Sequence, residues 1–145
     1  MNRLLDQINA IMKLDIDKND SLEIWREDLI YRIVVPDYGW NKVQEQLYEI
    51  LLDDDRTYDE YSVVAQVFWV AITDKQIVDK DKLVALINYR LNPIDYPYED
   101  NLAWSITCEL YHLDYCNSEY NAFRDEKIID ILKEFGFSHD LPKKS

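Results

Sequence analysis

The sequence predicts an all-α protein, and three observations carry that expectation. Apolar residues recur at spacings of three and four along almost the whole chain. Glycine occurs only at positions 39 and 136, with four prolines, in 145 residues. Nearly half the residues are apolar, which supplies a core despite the high charge. Few breakers and long periodic segments favour helices over a turn-rich β fold.

Seven helices are expected in order. Leu4, Ile8 and Ile11 mark the first. Leu22, Trp25, Leu29 and Ile33 mark a second, opened by a capping box of Asp20 and Glu23 and stopped before Pro36. Val43, Leu47, Ile50 and Leu51 mark the third. Thr57 and Glu60 form another capping box ahead of Val64, Val67, Phe68 and Ile72, a fourth helix apolar on most faces and therefore central. Leu83, Ile87 and Leu91 mark the fifth, ended by Asn92 and Pro93. Leu102, Ile106, Leu110 and Leu113 mark the sixth. Ile128, Ile131, Leu132 and Phe135 mark the seventh, with Gly136 as its C-terminal cap. Short connections predict antiparallel hairpins, arranged as a short HEAT- or armadillo-like array or an irregular bundle. One domain is expected over residues 1–137, followed by a loose tail at 138–145.

The chain carries 16 basic and 29 acidic residues, a net charge of −13. Nucleic acid and anionic membranes reward clustered Lys and Arg, so neither is an expected partner. The N-terminal segment lacks an uninterrupted apolar core, and the longest apolar run, VVAQVFWVAI, is too short to span a bilayer. Two cysteines, Cys108 and Cys116, fit a reducing compartment, and a cytoplasmic location is expected.

If successive helices alternate in direction, alternate loops share an edge. One edge would hold DIDKND (15–20), DDDRTYDEY (53–61) and NPIDYPYED (92–100), with net charges of −2, −4 and −3. The loops of the other edge carry 0, 0 and −2. The first edge also gathers Tyr58, Tyr61, Tyr96 and Tyr98. Tyrosine suits interfaces, with large contact area and few rotatable bonds, whereas carboxylates are normally depleted there. Their interleaving points to a partner rich in Lys and Arg. The candidate contacts are Asp53, Asp54, Asp55, Asp59, Asp95, Glu99 and Asp100 for charge. Tyr58, Tyr61, Tyr96 and Tyr98 are the candidate anchors, with Pro97 stiffening the second loop. The competing reading is a solvated acidic face whose tyrosines pack on helix ends.

Three motifs suggest chemistry and fall short of it. DIDKNDSLEIWR (15–26) resembles a calcium loop, but Asp20 stands where glycine is needed and Arg26 replaces the bidentate glutamate. Asp54, Asp55 and Asp59 could hold magnesium, yet no glycine-rich phosphate loop accompanies them. Cys108, His112 and Cys116 lack a fourth zinc ligand and a visible oxyanion site, so a buried Cys108 and a partly buried His112 are expected. Neither enzyme activity nor a metal or cofactor is expected.

DDDRTYDEY and IDYPYED on a short, acidic, glycine-poor helical chain resemble the surfaces of all-helical bacterial toxin-immunity proteins, particularly those of contact-dependent growth inhibition systems. That resemblance implies a protein that binds a cognate toxin domain in the cytoplasm and blocks it. The toxin is expected to be a nuclease with a basic cleft. The alternatives are a helical adaptor for another basic protein and a small metal-dependent hydrolase.

Overall fold

The computed structural model describes residues 3–14, 26–91, 102–113 and 125–137. The protein is all-α, with seven helices and no strand among these residues. They fall into two compact units, Met1–Ile77 and Val78–Ser145. The expected tail at 138–145, the proposed capping box of Asp20 and Glu23, and the loops at 15–20 and 92–100 lie outside the described residues.

In the first unit, α1 spans Arg3–Met12 and buries Leu4, Ile8 and Met12 along a strict four-residue stripe. The next helix, α2, runs through three consecutive stretches: α-helical Arg26–Leu29, π-helical Ile30–Val34 and α-helical Val35–Tyr38. This corrects the expected stop before Pro36. A proline lacks an N–H and clashes with the carbonyl one α-turn back, unless that turn is widened. Here the Val35 N–H reaches back to Ile30 O, a five-residue step, and Pro36 sits in the first turn of the following α stretch. The wider turn also resets the buried face. Ile30, Val34 and Val35 are buried, whereas Ile33, expected in the core, is 52% exposed.

Gly39 then reverses the chain at φ 86°, a conformation costly for residues with a Cβ. The third helix, α3, spans Trp40–Leu52 and buries Val43, Leu47, Ile50 and Leu51 as expected, together with Trp40 and Tyr48. The fourth, α4, spans Tyr58–Thr73 and buries Val63, Val64, Ala65, Val67, Phe68 and Ala71. It packs against both α2 and α3. Phe68 is its centre: the Trp40 ring meets it edge-on at 5.6 Å and Tyr48 lies 5.2 Å away.

In the second unit α5, Lys80–Leu91, packs against α6, Leu102–Tyr111, and α7, Glu126–Glu134. Leu83 to Ile87 are all buried along α5, as befits the middle helix of three. One polar link crosses this core. Asn88 donates to Thr107 Oγ1 at 3.0 Å and to Val84 O at 2.8 Å, and Thr107 donates to Ala103 O at 2.7 Å. Every buried side-chain polar atom described is hydrogen-bonded, so this pair fixes register without an unsatisfied group. Gly136 (φ 85°) ends α7 as expected. The Phe137 N–H returns to Leu132 O and the Gly136 N–H to Lys133 O, a Schellman closure. It sets Phe137 4.4 Å from the Tyr89 ring, with Arg90 5.1 Å from both rings.

Candidate functional site

Of the two acidic, tyrosine-bearing loops, the one at 53–61 is described and belongs to the first unit. Asp95, Tyr96, Tyr98, Glu99 and Asp100, and with them the expected shared edge, lie outside the described residues.

The corner between α3 and α4 is built from its own hydrogen bonds. Asp53 Oδ1 accepts from the Asp55 N–H at 3.0 Å, a turn that a short aspartate side chain favours. Thr57 Oγ1 accepts from the Glu60 N–H at 3.1 Å, and Glu60 accepts from the Thr57 N–H at 3.2 Å. The expected capping box is therefore present. It satisfies amides that the start of α4 would otherwise leave open.

Arg56 is the hub beneath. Its guanidinium donates to Asp53 at 3.2 Å, to Glu60 at 2.8 Å and to Asn9 of α1 at 2.6 Å. The Arg56 side chain is only 14% exposed, so its charge needs these acceptors. Burial alone pushes the Glu60 carboxyl upward, but hydrogen bonds from Arg56 and Thr57 and the Arg56 charge outweigh it. Glu60 is held below the ordinary glutamate range.

A second arginine clamps the start of α4. Arg26 grips Asp59 through both carboxylate oxygens, at 2.8 and 3.0 Å, and donates to Met12 O at 3.1 Å. It thus ties the end of α1, the start of α2 and the start of α4 together. The Asp59 carboxylate stays largely exposed, so this pair adds little stability and acts mainly on geometry.

The candidate contacts consequently take different roles. Asp53 and Asp59 face arginines of the same chain, while Asp54 and Asp55 are exposed at the turn. Tyr58 is 40% exposed. Tyr61 is 6% exposed and its hydroxyl donates to Asp53 O. It shapes the loop from beneath, and its ring is not at the surface.

Arg26 and Asn9 belong to the site but were not expected in it. Their partners lie 33 and 47 residues away along the chain, beyond the reach of helical spacing. The available signal was indirect: few bases face many acids, so each arginine has carboxylates to find. An open groove of about 570 Å³ runs beside the corner, between Leu5, Gln46, Glu49, Leu52 and Arg56.

Elsewhere, Cys108 is buried in α6, as expected. His112 is exposed rather than partly buried. It ends α6 at φ 56°, and the following N–H, of Leu113, returns to Cys108 O. Cys116 lies outside the described residues. Among the described residues, no three His, Cys, Asp or Glu side chains are grouped to hold a metal ion, and no helix is long and apolar enough to cross a membrane. What the 53–59 corner can do chemically is present carboxylates and a phenol ring on a stiff support. No protein-family model, curated protein or solved structure matches the chain.

Proposed function

We propose that the protein is an immunity protein. It neutralises a toxin domain that has a basic cleft, such as a nuclease, by setting the acidic 53–59 corner against that cleft. The observation that carries this reading is the support beneath the corner. Arg56, Arg26 and the capping box hold its backbone, while Asp54, Asp55 and the Tyr58 ring stand at the surface. A loop already ordered before contact loses less freedom on binding, so more of the interaction energy appears as affinity. The net charge of −13 adds long-range attraction for a basic partner and faster encounter. Asp53 and Asp59 add negative potential near the corner while serving its architecture.

The test is a growth assay in which this chain is co-expressed with the polypeptide encoded immediately upstream of it. Wild-type chain should restore growth. A variant carrying Asp54→Lys and Asp55→Lys should lose protection, with circular dichroism unchanged because both side chains are exposed. Tyr58→Ala should weaken binding by about 1–2 kcal/mol, as expected for an aromatic anchor. An upstream product that is harmless alone, or full protection by the charge-reversed variant, overturns the reading.

A further inference from the structure

The groove of about 570 Å³ beside the acidic corner has walls of two kinds. Leu5 of α1 and Leu52 of α3, both half-buried, give it aliphatic surface. Gln46 and Glu49 follow each other along one stripe of α3, and Asp53 continues that stripe past the helix end. Glu49 is exposed, and among the described residues it has no ion-pair partner. The Asp53 side chain, although it meets Arg56, is still 42% exposed. Carboxylates therefore stand at the rim of a partly apolar groove.

The acidity survives a count of every charge in the two segments that wall the groove. Residues 3–13 and 40–56 carry Asp6, Glu45, Glu49, Asp53, Asp54 and Asp55 against Arg3, Lys13, Lys42 and Arg56. Arg3 is balanced within α1 by Asp6. Lys13 and Lys42 stand two helical turns along from Leu5 and Glu49, a rise of about 10–12 Å, beyond the ~8 Å screening length. Arg56 lines the groove, but its guanidinium is 14% exposed and already donates to Asp53, to Asn9 and to Glu60, a further carboxylate from α4. No cation is left at the rim to answer Glu49.

We propose that this groove takes an arginine side chain of the toxin domain, its methylenes against Leu5 and Leu52 and its guanidinium on Glu49. Long cationic side chains lay their stems along apolar surface while the charged head reaches outward. Arginine fits better than lysine. Its planar fork matches a carboxylate through two parallel hydrogen bonds, and a guanidinium is more weakly hydrated than an ammonium on entering a partly apolar groove. The inference rests on the toxin-binding reading for the partner's identity and deepens it. The 53–59 corner attracts the basic partner, and the groove beside it supplies a directional anchor.

The experiment is a two-dimensional NMR titration of the full chain with short synthetic peptides, which needs no toxin. One alternates leucine with arginine, one leucine with lysine, and one leucine with citrulline, the uncharged analogue of arginine. The arginine peptide should give saturable shifts at the Leu5 and Leu52 methyl groups. The lysine peptide should bind at least about threefold more weakly, and the citrulline peptide should leave those methyl groups unmoved. Glu49→Gln, a near-isosteric change at an exposed position, should weaken the arginine peptide by about tenfold, the loss of a charge-assisted hydrogen bond. Asp37→Asn removes the same charge beyond the opposite end of α3 and should leave affinity within about twofold. In the growth assay, Glu49→Gln should protect less well than wild type at equal expression. No shift at Leu5 and Leu52, equal binding of the lysine or citrulline peptide, or undiminished binding by Glu49→Gln each overturns the groove, even where charge reversal at Asp54 and Asp55 abolishes protection. Arginine-specific shifts beside a harmless upstream polypeptide overturn the toxin-binding reading and leave the chemistry of the groove standing.

Discussion

Arg56 concentrates three acceptors on one nearly buried guanidinium, and its removal would take a charged donor from each of them. Arg56→Ala leaves Asp53 and Glu60 close together without their cation, and leaves Asn9 without a donor. We expect a loss of about 1–3 kcal/mol in urea denaturation, the range for unpairing partly buried polar groups. A loss within error would show that the hub is redundant. Asp81 in the second unit supplies a pH-dependent counterpart. The Tyr111 hydroxyl donates to it at 2.7 Å and Lys127 lies 3.2 Å away. The Tyr111 hydrogen bond first, then Lys127 and the charge of Lys80, hold its carboxyl below the ordinary value of 3.8. A folded-state value below the unfolded one means the ionised form stabilises the fold. That contribution is present above about pH 3.8 and is lost as pH falls through the folded-state value. Asp81→Asn should therefore melt below wild type at neutral pH, and the two curves should converge as acid protonates Asp81. A gap that persists unchanged into acid would contradict this account. Asp53 and Glu60 lie three and four residues from Arg56, but Asn9, Tyr111 and Lys127 do not follow from helical spacing, which sets faces and not which distant side chains meet.

At the scale of elements, local signals proved reliable wherever a single rule governed the position. The Thr57–Glu60 capping box and the Gly136 cap were legible because each depends on a few adjacent residues. The buried stripe of α3 was legible because one period runs through it undisturbed. α2 was not, because two rules conflict there. Pro36 locally ends an α-helix, yet Ile30, Val34 and Val35 all gain by burial, and a π turn satisfies both. That turn moves Ile33 out of the core, a shift invisible to any fixed periodicity. Gly39 completes the arrangement, and its tolerance is conformational rather than steric: a Cβ there would meet nothing within 4 Å. Gly39→Ala should still destabilise the first unit by about 1 kcal/mol, because φ 86° is unfavourable for any L-residue with a Cβ. Thermal unfolding that matches wild type would contradict this reading of the turn.

Over the whole molecule, the helical class and the excess of acid are both plain in composition. The division into two compact units is not, because contact density depends on which helices meet and not on how many there are. The acidic corner was half legible. Its position, its capping box and Arg56 follow from DDDRTYDEY, whereas Arg26 and Asn9 come from distant parts of the chain and reach it across helices. Bracing changes what the acids do: Asp53 and Asp59 shape the corner, Tyr61 fills the space beneath, and Asp54, Asp55 and Tyr58 are exposed. The central claim is that this corner captures a basic toxin domain by electrostatic attraction to a preformed surface. Its most direct test is the association rate of this chain with the polypeptide encoded immediately upstream, measured by stopped-flow over a range of ionic strength. The account predicts one-to-one binding, with association well above the ~10⁵–10⁶ M⁻¹s⁻¹ of an unsteered pair at low salt. That rate should fall steeply as salt rises, and much less steeply for the variant carrying Asp54→Lys and Asp55→Lys. No binding, or a rate indifferent to both salt and charge reversal, would contradict it.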